Sequence, residues 1–371
     1  SGGIDSSLIS TLMQKKLSTN TKTFTIGFED KKYDESLYAK KIANIIGTEH
    51  NELILNQKEA LNIIPNLSKV YDEPFADSSQ IPTILLSKFA KQQITVALTG
   101  DGGDELFGGY NRYVFLKNFW KKISFLPYPL RKIFAQTIDL FPLNFINNFK
   151  GVFNLISGSN VTFFGDKVTK FSHKIKSIKN LDELFLSSLS TFQEPNSLLV
   201  NSNDLSMDIF ELKKNLNYLD YEALMMFIDS QTYLTDDILC KVDRASMSSS
   251  LETRVPFLDK NVVEMAWSLP SSMKIRNKDG KWILKQILNK YIPKEYTERP
   301  KMGFGIPLGD WLRDELKDWA EDLLDKKNLE NEGYFNPDLV IKLWNEHQSK
   351  KRDWQSILWP ILIFQSWKKE N

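Results

Sequence analysis

The stretch SGGIDSS, Ser1 to Ser7, gathers two glycines, three serines and one aspartate in seven positions. Gly2 and Gly3 let the backbone approach an anion closely and adopt positive φ. Ser1, Ser6 and Ser7 add hydroxyl donors, and a helix starting near Ser6 adds N–H groups and the positive end of its dipole. The loop is neither a Gly-Lys-Ser/Thr phosphate loop nor a GxGxxG dinucleotide turn. Asp5 is the informative residue, because a carboxylate among phosphate donors repels phosphate unless a cation lies between them, which points to Mg2+. The plainer alternative is a serine-capped helix start after a glycine turn.

A second cluster, Thr99 to Tyr110 (TGDGGDELFGGY), sets five glycines and three acids directly after an apolar stretch, ITVAL. In open α/β sheets ligands bind beyond the carboxyl ends of the strands. Asp101, Asp104 and Glu105 are too acidic to hold phosphate directly but suit Mg2+ or a substrate ammonium. Like charges this close cost stability unless a cation offsets them. A calcium loop is the competing reading, and the alternating ligands of an EF-hand are missing. Asp236 to Asp259 (DDILCKVDRASMSSSLETRVPFLD) mixes Lys241, Asp243, Arg244, Glu252 and Arg254 with small residues that permit close packing. The alternative there is a solvated charged helix. In RPKMGFGIPLGDW, Lys301 sits in a glycine-rich loop that no strand precedes, so it is no dinucleotide turn. A lysine so placed can neutralise charge on a reacting phosphate.

These residues need a frame of strands and helices to bring them together. Ser6–Leu17 has helical apolar spacing, TFTIGF (23–28) is β-rich, 34–46 reads as a helix and 52–55 as a short strand. Helices are expected over 57–71 and 82–92, and a buried strand over 94–98. Strands and helices alternating at these lengths favour βαβ units and a parallel sheet. From Phe119 to Phe149 aromatic and basic residues mix around three prolines. A membrane-surface patch is one reading; a broken-helical insertion packed on the α/β core is preferred, since no clean face separates the two kinds. Helices also fit 217–234, 261–269, 282–291, 308–324 and 338–347, and one over 354–367 is interrupted or kinked near Pro360. The stretch 151–206 is the least legible.

Bulk properties exclude several classes. Lys plus Arg number 48 against 47 acids, so no global field argues for nucleic acid. The single cysteine, Cys240, rules out an internal disulfide framework or a Cys-based zinc site and fits a reducing cytoplasm. His50, His173 and His347 follow no metal-ligand spacing. No apolar run reaches the roughly 18 residues of a membrane span.

Taken together, SGGIDSS, DEPFADSSQIPT, LTGDGGDELFGGY, LCKVDRASMSSSLETRVPFLD and RPKMGFGIP resemble, in order and spacing, the synthetase domain of glutamine-hydrolysing asparagine synthetases, a branch of the ATP-pyrophosphatase (PP-loop) superfamily. The resemblance runs from Ser1 to about Leu324 and weakens beyond. It implies an α/β fold: a parallel-sheet PP-loop core over about 1–115 with 230–305, a helical insertion over about 116–229, and a helical C-terminal part over about 306–371. It also implies an AMP-forming ligase that adenylates the side-chain carboxylate of aspartate with ATP and Mg2+, then transfers ammonia. Carried over by position, Ser1, Gly2, Gly3, Ser6 and Ser7 would hold pyrophosphate, and Asp5 with Asp104 would bind Mg2+. Ile26 would face the adenine through its backbone, and Thr99 and Gly100 would contact the nucleotide. Asp101, Glu105 and Tyr110 would surround the acyl substrate, Lys241 would lie near the phosphates, and Lys301 would stabilise the adenylation transition state.

Two features depart from the family pattern. Asp101 is a shorter acid where some members have glutamate, which leaves other acyl substrates open, as in enzymes that close β-lactams or amidate sugars and peptides. A non-catalytic nucleotide-binding module is the reading from a different class. Members also carry an N-terminal glutaminase domain opening on a nucleophilic cysteine, and none is found here. The expectation is a fragment that lacks the strand before Ser1 and uses free ammonia at best. The expected partners are aspartate, ammonia and the glutaminase domain of a full-length protein, with a homodimer open and no nucleic acid or membrane.

Overall fold

The computed structural model describes residues 2–30, 34–151, 154, 164–192, 195–201, 216, 219–277, 279–296, 298 and 305–371. Ser1 and Lys301 lie outside the described residues, as do parts of the 151–206 stretch. Apart from its last two residues the chain divides into two compact units, Ser1–Val114 with Met207–Pro307, and Phe115–Ser206 with Leu308–Lys369.

In chain order the elements used below are α1 (Ile4–Lys16), β1 (Lys22–Phe28), α2 (Ser36–Ile46), β2 (Glu49–Leu55), α3 (Gln80–Lys91), β3 (Val96–Leu98), α4 (Gly103–Phe107) and α5 (Asn111–Ile123). Then come α6 (Tyr128–Asp139), α7 (Leu143–Asn148), α8 (Phe164–Ser177), α9 (Tyr221–Gln231), α10 (Cys240–Met247), β4 (Glu252–Arg254), α11 (Trp282–Leu288), α12 (Pro337–Gln348) and α13 (Gln355–Glu370).

The fold is α/β with parallel strand pairing in the first unit. β1 and β2 pair in parallel from Lys22 opposite Glu49 to Phe28 opposite Leu55, with α2 as the crossover between them. The last four residues of β1 are all buried, as befits a parallel strand covered on both faces. β3 pairs in parallel with β4, Val96 opposite Glu252 and Leu98 opposite Arg254. This strand was expected to be buried; instead Val96 and Leu98 are exposed. It is only three residues long, and among the described residues it pairs with β4 alone. The helix expected over 57–71 is split by a short 3-10 turn at Ile64–Asn66, where Pro65 supplies no N–H to continue the ladder. The small residues after Val242 do permit close packing: Ala245 and Ser246 are buried where α10 lies along α3.

Among the described residues the second unit is built of helices, with one antiparallel bridge between Leu199 and Phe335. Its last helix, α13, runs unbroken through Pro360. No helix among the described residues is long and apolar enough to cross a membrane. His347 of α12 is fully buried. Its Nε2 donates to the Gly309 carbonyl at 3.1 Å, and its Nδ1 accepts from the Trp354 N–H at 3.2 Å, with Arg313 Nη2 at 3.3 Å. These partners require the neutral ring, and burial together with the Arg313 charge holds its pKa below the ordinary histidine value, against the pull of Asp353. The unfolded chain therefore binds a proton that the folded chain refuses. The stabilisation is complete above about pH 6.5, the unfolded value, and drains away as pH falls from there through the folded value, at up to about 1.4 kcal/mol per pH unit. Urea midpoints measured against pH should show this slope, and His347→Gln should flatten it; an equal slope in the variant would move the effect to another group.

Candidate active site

Three separate elements deliver charged side chains to one point because their inner faces share one apolar cluster. Leu8 of α1, Leu106 and Phe107 of α4, and Leu284 and Leu288 of α11 pack together with Phe257 and Ile292. Each such buried side chain contributes about 1.5–3 kcal/mol. With those faces fixed, the polar N-terminal ends of α1, α4 and α11 project Asp5, Asp104 and Lys281. The Lys281 ammonium lies between the two carboxylates, paired with Asp5 and 2.7 Å from Asp104 Oδ1.

The glycines expected to serve a ligand first serve this approach. A Cβ at Gly103 would stand 2.6 Å from Asp5 Oδ1, and one at Gly100 2.8 Å from the Ser6 nitrogen. The acid loop can press against the start of α1 only because neither position has a side chain. Gly109 leaves room in the same way for Asp104 and Lys281, and Gly280 for the Gly108 carbonyl. Lys281 itself is held in the left-handed region at φ 56°, with its N–H donated to the Phe107 carbonyl at 3.0 Å. A non-glycine residue kept there is a strain that the surrounding contacts must impose. Burial works against the Lys281 charge, but Asp5 and Asp104 more than offset it and hold the pKa above the ordinary lysine value.

Beside this triad, Glu105 is buried and accepts a 2.6 Å hydrogen bond from the Tyr110 hydroxyl. Burial pushes the Glu105 carboxyl up to about 7 and raises Tyr110 as well. The Arg112 guanidinium lies 4.4 Å from the Tyr110 ring centroid and 5.3 Å from that of Tyr233. Its Nη2 pairs at 2.8 Å with Asp229 of α9, a fully buried carboxylate that also accepts from the Tyr113 hydroxyl at 2.5 Å.

A third group surrounds Lys241 of α10. Its ammonium is 2.5 Å from Asp77 and 3.8 Å from Asp237. Asp77 accepts from both the N–H and the hydroxyl of Ser79 at 2.9 Å. Burial favours neutral Asp77, but the Lys241 charge overrides it and lowers its pKa, whereas Asp237 is pushed up to about 7 by burial and by Asp77. Asp237 sits in a π-helical turn, Leu234–Leu239, a distortion frequent at functional sites. Burial also raises the Asp101 carboxyl, while the Lys241 charge pulls it the other way.

The structure thus gathers Asp5, Asp104, Glu105 and Tyr110, and places Lys241 within electrostatic reach of Asp101. Gly2 takes φ 67°, and Gly3 is the N-cap of α1. Ser7 is buried, its carbonyl accepting from Thr11 at 2.7 Å, and Ser6 directs its hydroxyl toward the Gly3 carbonyl at 3.5 Å. Ile26 is buried in β1 opposite Leu53, and the Thr99 N–H is donated to the Arg254 carbonyl at 2.9 Å. Sequence reasoning missed Lys281, Arg112 and Asp229. For Lys281 a faint signal exists: DGK ahead of an apolar helical run marks a tight turn at a helix start.

Asp5 and Asp104 fit a hard divalent cation. They offer oxygen from the first turns of two different helices, close enough to share one ammonium. No third His, Cys, Asp or Glu joins them among the described residues, so the remaining ligands would come from phosphate oxygens and water.

A family model described as asparagine synthase matches residues 1–369. Asparagine synthetase [glutamine-hydrolyzing] 1 of Bacillus subtilis (strain 168) is 32% identical over the whole of this chain and 55% of its own length. Asparagine synthetase [glutamine-hydrolyzing] 3 of the same organism is 24% identical over 89% of this chain and 50% of its own. The Bos taurus asparagine synthetase [glutamine-hydrolyzing] is 34% identical over 30% of this chain. The chain spans about half the length of the curated relatives it matches.

Proposed function

The chain belongs to the asparagine synthase family, and on that premise we propose that it carries the ATP-dependent, amide-forming half of such an enzyme. A side-chain carboxylate oxygen of aspartate bonds to the α-phosphorus of ATP as the bond to the bridging oxygen breaks and pyrophosphate leaves. Ammonia then attacks the β-aspartyl carbon, AMP departs with the electrons of the carbon–oxygen bond, and one proton is released. In a full-length protein glutamine would supply that ammonia. The nucleotide core is assigned to about 1–115 with 230–305, a helical insertion to about 116–229 and a helical C-terminal part to about 306–371.

The observation that carries this reading is the meeting of Asp5 and Asp104 on one cation position at the start of α1. A helix N-terminus favours anionic phosphate, and two acids there make sense when the phosphate arrives with a cation. Magnesium, when bound with ATP, would offset the charge that builds on the departing pyrophosphate. The protein's share is then positioning and fixed charge. Gly2, Gly3, Ser6 and Ser7, with Ser1, are the proposed pyrophosphate grip, and Ile26, Thr99 and Gly100 the nucleotide side. Asp101, Glu105 and Tyr110 surround the acyl substrate, Lys241 lies near the phosphates, and Lys301 acts at the transition state. Lys281 holds the two acids together, and its ammonium would be left to offset phosphate charge where a cation took its place between them.

The test is exchange of labelled pyrophosphate into ATP with Mg2+ and aspartate. Aspartate-dependent exchange is expected, with AMP and asparagine formed once ammonium is added. Exchange supported by another carboxylate and not by aspartate would assign a different carboxylate substrate to the same chemistry, in line with the shorter Asp101. Nucleotide binding without exchange for any carboxylate would make the chain a binding module.

A further inference from the structure

Helix α6 places its apolar side outward. Leu130, Ile133 and Phe134, spaced as one helical stripe, are all exposed, while the side turned inward holds Arg131 and Ala135. A helix of a globular protein turns its apolar stripe to the core. Arg131 fixes the reverse orientation. Its Nε donates to the Leu126 carbonyl and its Nη1 to the Ile178 carbonyl, both at 3.0 Å, and its guanidinium lies 5.2 Å from the Trp120 ring centroid. On the same inward side α8 is tied to α6 by Ser172, which donates to the Ala135 carbonyl at 2.9 Å. Rolling α6 over would break these bonds and strip the Arg131 guanidinium of its carbonyl partners.

Exposed apolar side chains also flank α6 in sequence. Phe125 is 91% exposed and Leu140 81%. Phe141, Phe145 and Phe149 follow at four-residue spacing, all exposed, their rings packed at 5.1 and 5.4 Å. Soluble surfaces seldom show so long a run of large apolar groups without a partner. The segment itself is one-sided in charge. Besides the buried Arg131, residues 115–150 hold five lysines and one acid, Asp139, and that acid is already paired with Lys176 at 3.2 Å. Lys121, Lys122 and Lys132 are exposed.

We propose that the aromatic and basic face formed by the end of α5, α6 and α7 docks the protein on an anionic membrane surface, lying in the interface without spanning it. Aromatic and aliphatic side chains beside lysines are what an interfacial segment needs: apolar groups enter the acyl boundary and cations meet the lipid phosphates. The excess of positive charge selects this partner over a second copy of the chain, whose identical face would repel it. The proposal replaces the expectation from sequence of no membrane partner, because the outward turn of the apolar stripe is visible only once Arg131 is seen to face inward.

Sedimentation of the chain with vesicles of phosphatidylglycerol and phosphatidylcholine in equal parts, against phosphatidylcholine alone, tests it. Binding to the anionic vesicles only, weakened by added salt, is expected. Lys121→Gln with Lys122→Gln should weaken partitioning by about fivefold for each lysine removed. Ile133→Glu with Phe134→Glu should abolish it while moving the melting temperature by no more than about 2 °C, as both sites are exposed. No binding to anionic vesicles, or binding that both pairs of substitutions leave unchanged, overturns the proposal. So does self-association in solution that Ile133→Glu with Phe134→Glu abolishes, since the face would then be an interface between copies.

Discussion

Asp104→Asn is expected to lower aspartate-dependent pyrophosphate exchange at least about a hundredfold, a loss near 3 kcal/mol of transition-state stabilisation. Asparagine has the shape of aspartate and can still accept from the Lys281 ammonium 2.7 Å away, so the loop keeps its course. What disappears is one of two negative charges. A divalent cation then meets one anionic oxygen ligand in place of two, and the buried ammonium is left with Asp5 alone. Exchange should therefore require more Mg2+, and the rise in melting temperature on adding Mg2+ with ATP should shrink. Lys281→Met is the informative contrast. It leaves Asp5 and Asp104 facing each other with no cation, so the metal-free protein should be less stable and should gain more from Mg2+ than the parent chain. Exchange in Asp104→Asn within about threefold of the parent, less than 1 kcal/mol, with unchanged Mg2+ dependence, would overturn the assignment of this pair.

The two halves of that triad differed in how far the sequence exposed them. Asp5 and Asp104 each stand in a short glycine-rich stretch beside a legible helix or strand, so local pattern was enough. Lys281 is one lysine among many, and its partner Asp5 is 276 residues away. Only the shared apolar cluster beneath α1, α4 and α11 brings them together. The same holds for Lys241 and Asp77: Lys241 stands out in its own motif, whereas Asp77 lies unmarked within DEPFADSSQIPT, 164 residues away. Strand β3 was legible in kind but not in burial, because burial depends on what pairs beside it. In the aromatic stretch from Phe119 to Phe149 the broken helices were legible and their orientation was not. Eight aromatic residues among 31 leave no face apolar by default, so a single buried arginine decides which side points out.

Asp229→Ala should cost about 3–5 kcal/mol of stability, because truncating one partner of a buried ion pair strands the other. Asp229 is fully buried and accepts from both Arg112 and Tyr113. Alanine would leave a guanidinium and a hydroxyl in the interior without their acceptor. A fall in melting temperature of about 10 °C is the expected readout. Arg112→Ala with Asp229→Ala should be less damaging than the sum of the two single changes, since the second removes the charge that the first strands. A functional effect should accompany the loss, measured well below the melting temperature. The Arg112 guanidinium, fixed by Asp229, lies against the Tyr110 ring, and Tyr110 in turn bonds Glu105. Freed from Asp229, Arg112 no longer pins that ring, so the KM for aspartate should rise while the KM for ATP holds. If the KM for ATP moved instead, Tyr110 and Glu105 would belong to the nucleotide side of the site. If the variant melted with the parent chain, the Arg112–Asp229 pair would be contributing specificity of packing without net stability.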